Sequence, residues 1–213
     1  WLDNLLFTKY RSRFSRQYTL AITGALEHLT ALGAHAMFDE RDILDNAKRQ
    51  ANMPGPIKGQ ANRVWDVFAQ REMVGRFGWK ANVATLAHQT AGAFQGDLGI
   101  TSTWFPAETC TSAQKDCLQA PSGAAPGGVE IEDKTIEDVV YYQAALAPPA
   151  RRNAQDPQVL RGQQLFTQAQ CAVCHRPSYK TTEGPFPRLT SKAVSGQTIW
   201  PYTDLLLHDM GDA

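Results

Sequence analysis

The chain reads as all-α with long loops, and three observations carry that reading. Apolar residues recur at helical spacing in most segments, and helix-starting residues stand where those segments begin. Runs of proline and glycine separate them. No pair of alternating stretches is joined by a good hairpin turn, and nothing repeats at a fixed period.

Residues 18–38 form the most apolar long stretch, but Glu27, His28 and His35 interrupt it, so it reads as a packed helix rather than a membrane span. Asp39 is placed to cap a second helix over 39–48, with Ile43, Leu44 and Ala47 on one face. Periodicity predicts a third helix over 64–74. A shorter one covers 85–94, with Leu86, Thr90, Ala93 and Phe94 on a stripe. Residues 135–146 are amphipathic, with Ile136, Val139, Val140, Gln143 and Leu146 along one side. Asp156 and Pro157 then open a last helix, the carboxylate capping and the proline in the first turn, with Val159, Leu160, Leu165 and Phe166 as its buried face. Loops fall at 52–60, 121–128, 147–152 and 183–189, where prolines and glycines forbid regular structure.

The loop at 147–152 divides the chain into residues 1–146 and 147–213. The N-terminal WLDNLLFTKYRSRFSRQ has its basic residues after the first apolar cluster and no small-residue cleavage site, so it does not read as an export signal. Trp1 starts in mid-pattern and the last residues are HDMGDA, which suggests a partial chain. Lys plus Arg number 21 and Asp plus Glu 21, so no global field draws the chain to nucleic acid or to an anionic membrane. A partner must be read from a site.

The strongest signal is Cys171-Ala-Val-Cys174-His175. Two thiols three apart at the end of a helix can reach both vinyl groups of one haem and bond to it covalently, with the adjacent imidazole as axial ligand to the iron. Zinc would need four ligands, and no second CxxC or HxxxH is present. A thioredoxin-like dithiol would need a strand before the motif, where a helix is predicted. Covalent haem c is therefore expected on Cys171, Cys174 and His175. Cys110 and Cys117 lie in a loop with six residues between them, enough for the chain to turn back and form a disulfide. Both features point to an oxidising compartment, the bacterial periplasm or its equivalent.

RFGWKANVATLAHQTAGAFQGDLGITSTWFP (76–106), the CTSAQKDC loop, VVYYQAALAPPARR (139–152), CAVCH and IWPYTDLLLHDMGDA (199–213) together resemble the di-haem oxidoreductase family, often labelled thiol oxidoreductase. That family is related to the bacterial di-haem cytochrome c peroxidases and the methylamine-utilisation di-haem enzyme. The resemblance covers about residues 37–213. It implies two cytochrome c-like domains: residues 1–146 as a partial peroxidatic region lacking its own CxxCH, and 147–213 as a truncated C-terminal domain bearing one. In the resembling proteins the other CxxCH lies upstream of the region matching Trp79.

In the related peroxidases a tryptophan is followed ten residues later by glutamine and then by an acid. Trp79, Gln89 and Asp97 match in order, with a shorter gap before the acid and aspartate in place of glutamate. The resemblance implies an electron stepping point at Trp79, an orienting amide at Gln89 and an acid/base at Asp97, since breaking an O–O bond needs a group that takes and returns a proton. The bland alternatives are a packing tryptophan, a solvated helix glutamine and an aspartate suited to a turn in GDLG. The sixth ligand of the His175 haem would be Met210, His208 or a residue beyond Ala213, unless LLLHDM only packs on the haem edge. The resemblance further implies a small electron-donor protein of cytochrome or cupredoxin type, peroxide or another small substrate, and allows a calcium ion between domains. The rival reading is a single-haem electron-transfer protein without catalysis.

Overall fold

The computed structural model describes residues 38–56, 58–124, 126, 128–146, 150–182 and 195–209. The expected helix over 18–38, with His28 and His35, lies outside these residues except for Phe38, as do the loop at 183–189 and Met210. Among the described residues are helices α1 (Glu40–Asn52), α2 (Leu86–Leu98), α3 (Lys115–Gln119), α4 (Asp133–Ala145) and α5 (Pro157–Gln168). The all-α expectation is corrected by six short strands: β1 (Gly59–Gln60), β2 (Arg63–Asp66), β3 (Arg71–Val74), β4 (Tyr179–Lys180), β5 (Thr198–Ile199) and β6 (Leu207–His208). They pair as three antiparallel two-stranded sheets, β1 with β6, β2 with β3 and β4 with β5.

The expected helix over 64–74 is the β2–β3 hairpin, in register from Arg63 opposite Val74 to Asp66 opposite Arg71. Asp66 is the reason. Its Oδ1 accepts from the backbone N–H groups of Phe68 (3.0 Å) and Ala69 (2.8 Å), and its carbonyl accepts from Gln70 N–H at 2.9 Å. An aspartate that captures the amides after it offers the chain a turn in competition with a helix. Gln70 completes the reversal in the left-handed region, at φ 51°.

The caps read from sequence stand. Asp39 accepts from Arg41 N–H at 2.9 Å and Asp156 from Gln158 N–H at 2.7 Å. Thr85 accepts from His88 N–H at 3.2 Å, and α2 runs on to a left-handed Gly99. Asp97 is therefore in the last turn of a helix, not in a loop.

Among the described residues two clusters form the core. Phe77, Leu86, Ala91, Ile136, Val140 and Ala144 pack α2 against α4, and the Thr90 hydroxyl donates to Gln143 Oε1 across them at 2.8 Å. Phe38, Ile43 and Val74 pack with Tyr179, Ile199 and Leu205. The second cluster joins α1 and β3 to the residues around CxxCH.

Tyr179 is central to it. Its phenol donates to the Thr203 carbonyl (2.9 Å), accepts from Asn46 Nδ2 (2.7 Å), and is pushed up to about 12 chiefly by burial. A phenol that is harder to ionise folded than unfolded stabilises the fold fully below pH 10. That contribution is lost as pH rises through about 12. Alkaline titration followed at the tyrosinate band should show a late-ionising phenol, lost with Tyr179→Phe, together with loss of tertiary structure in the same interval. A titration that Tyr179→Phe leaves unchanged above about pH 10 would refute it.

The expectation that fails on α5 concerns its face. Leu160 and Leu165 are 41% and 48% exposed, and Val159 and Phe166 are half-buried. The helix packs mainly on the turn that follows it, with Phe166 edge-on to His175, and joins neither cluster.

Candidate functional site

After α5 the chain turns at Gln170, left-handed at φ 62°, and a 3-10 turn covers Cys171–Val173. His175 N–H donates to the Cys171 carbonyl at 2.9 Å, closing the motif on itself. Both thiols are free, that of Cys171 exposed and that of Cys174 partly buried. The Cys174 thiol is pushed up, first by burial and then by the nearby charge of Asp204.

The His175 ring is exposed, with Phe166 edge-on at 6.4 Å. Its Nδ1 lies 3.0 Å from the Tyr202 carbonyl. A carbonyl can only accept, so Nδ1 carries the proton and Nε2 keeps its lone pair. That bond to the backbone orients the ring as a metal ligand requires. Two free thiols on one tight turn, an imidazole with an available Nε2 and an apolar helix face alongside fit a covalently attached haem.

Behind Cys174 lies a polar cluster that sequence reasoning missed. Asp204 is 2% exposed; its Oδ2 accepts from Gln50 Nε2 (2.6 Å) and from His208 Nε2 (2.8 Å), and its Oδ1 from Leu206 N–H (3.0 Å). His208 Nδ1 faces Cys174 Sγ at 4.0 Å. Ligand atoms of Cys174, Asp204 and His208 all lie within 4.8 Å of one another, close enough to hold a metal ion in place of the attachment chemistry. His208, an expected candidate for the iron's sixth ligand, is thus tied to Asp204 and turned toward the attachment cysteine. The four-residue spacing of Asp204 and His208 was the one local signal.

Helix α1 holds this loop from the other side. Gln50 Nε2 also donates to the Val173 carbonyl at 3.0 Å, and Asn46 Nδ2 to the Asp204 carbonyl at 3.1 Å. Arg176, the residue after His175, donates to Asn46 Oδ1 at 2.7 Å and stacks over Tyr179 at 4.1 Å.

The second set is spread out. Trp79 stands at the tip of the turn between Phe77 and Val83 and is 99% exposed. Gln89 is half-buried in the first turn of α2, and Asp97 is exposed in its last. Eight residues along a helix separate the latter two by about 12 Å, so no hydrogen bond joins them. Beside Gln89 the fold gathers Asp66, Thr85 and His88: the Thr85 hydroxyl donates to Asp66 Oδ2 at 2.6 Å, and His88 Nδ1 stands 3.5 Å from the same oxygen. Cys110 and Cys117 form a disulfide with Cα atoms 5.8 Å apart, beginning just before α3 and ending within it. Among the described residues no helix is long and apolar enough to cross a membrane.

Compared with known proteins, residues 19–213 match a family described as "di-haem oxidoreductase, putative peroxidase". No curated protein and no solved structure matches the chain.

Proposed function

Because the chain belongs to the di-haem oxidoreductase family, we propose that it acts as a periplasmic c-type enzyme of peroxidase type, reducing peroxide or a similar small substrate. The observation that carries the c-type reading is the pair of free thiols beside an imidazole whose Nδ1 is committed to the Tyr202 carbonyl.

In this reading Cys171 and Cys174 would hold a haem covalently and His175 Nε2 would ligate its iron. When bound, the haem supplies one-electron redox chemistry. Tyr202 fixes the imidazole plane and tautomer. Phe166, edge-on to His175 at 6.4 Å and to Tyr202 at 5.4 Å, would shield that side of the imidazole from water.

The substrate end lies on α2. Gln89 offers both a donor and an acceptor from its amide, suited to orienting a peroxide or water. Asp97, exposed at the end of α2, can exchange protons with solvent and hold one at its carboxylate for delivery to a leaving oxygen. Trp79 projects its ring from the turn that precedes this helix, where it can stack against a redox centre and bridge an electron's path. The disulfide supports an oxidising location. A small cytochrome or cupredoxin would supply the electrons.

Asp97→Asn in the complete natural protein tests the catalytic half. Peroxide turnover should fall by about 100-fold or more while haem content stays unchanged. Turnover within a few-fold of the parent would remove Asp97 from the chemistry.

A further inference from the structure

We propose that Asp204, clamped by Gln50 and His208, lowers the reduction potential of the haem carried on the Cys171–His175 motif. This rests on the covalent-haem reading and adds to it a residue that tunes the site.

The geometry carries it. Asp204 is 2% exposed, and its carboxylate accepts three hydrogen bonds, from Gln50, His208 and Leu206. The carboxylate lies within 4.8 Å of Cys174 Sγ. A thioether at that sulfur would therefore bring the haem edge against a buried negative charge. Iron gains one positive charge on oxidation, so a fixed anion in a poorly screened place favours the ferric form.

The surroundings keep water out and the charge still. Gln50, fully buried on α1, bonds both the carboxylate and the Val173 carbonyl, which fixes the anion's distance from the attachment turn. β1 closes over the cluster by pairing Gly59 with His208. A Cβ at Gly59 would come within 2.6 Å of Gln50 Oε1 and 2.9 Å of His208 Cε1, so a larger residue there would push these side chains out of their places. Two residues from before position 60, Gln50 and Gly59, thus converge on the loop that follows the motif.

The test is a spectroelectrochemical titration of the full-length, haem-loaded protein, with the signal of this haem assigned by its loss when Cys171 and Cys174 are serine. Asp204→Asn should shift the reduction equilibrium about tenfold toward the ferrous form, about 59 mV for a one-electron couple. Asp204→Glu, which keeps the charge, should stay closer to the parent. Equal shifts in both variants, or none in either, would overturn the proposal. Where Asp204→Asn does not mature, Gln50→Leu decides, since it takes away a donor that stabilises the charged carboxylate and fixes its place: a raised potential supports the clamp and an unmoved one sinks it. A parent protein with no covalent haem overturns the haem reading and this one together, whereas a haem with an Asn-insensitive potential overturns this one alone.

Discussion

Replacing Cys171 and Cys174 together by serine is expected to remove one covalent haem from each full-length chain. The family description leads us to expect two haems in the parent, so the count should drop from two to one. A serine hydroxyl does not add to a vinyl group as a thiol does, and without thioethers the haem leaves when the chain is denatured. Pyridine haemochrome per polypeptide and the intact mass of the denatured chain read this directly. The substitution is gentle on the fold, because Cys171 is exposed and Cys174 only partly buried. An unchanged count would mean that haem is attached elsewhere and that the turn after α5 has another use. A parent count of one would favour the electron carrier and demote Trp79, Gln89 and Asp97 to packing and surface roles.

CxxCH was legible because its chemistry is local: the residues that would bind the cofactor lie within five positions, and α5 before them starts at a visible Asp-Pro cap. The cap at Asp39 was legible for the same reason. What sequence hid was long-range. On α1 the apolar face was anticipated at Ile43, Leu44 and Ala47, yet Asn46 and Gln50 share the buried positions with Ile43. Amides there are stable only because Tyr179, Val173 and Asp204 pair with them, more than 120 residues away. No local pattern announces such partners. The apolar residues of α5 misled in the opposite sense: their spacing marks a face, but not whether that face meets the core or the cofactor site. In both cases the error lay in assigning burial from polarity alone.

The hairpin at Asp66 offers the other large effect. Asp66→Ala should cost about 3–5 kcal/mol of folding stability, a sizeable share of the ~5–15 kcal/mol typical of a domain. One fully buried carboxylate closes the β2–β3 turn through the Phe68 and Ala69 amides and reaches across to the Thr85 hydroxyl, whose oxygen caps α2. Alanine takes away the acceptor that these part-buried donors share, and a hydrogen bond to a carboxylate is worth about 1.5–3 kcal/mol. Asp66→Asn should cost less, because its carbonyl can still serve the two turn amides while its NH2 faces a hydroxyl able to accept. Urea unfolding followed by far-UV circular dichroism ranks the three proteins. A loss under about 1 kcal/mol for alanine would show that the turn holds without its side chain. The consequence reaches the proposed chemistry, since Gln89 sits one turn beyond Thr85: a loosened cap should disturb substrate orientation before it disturbs the haem motif.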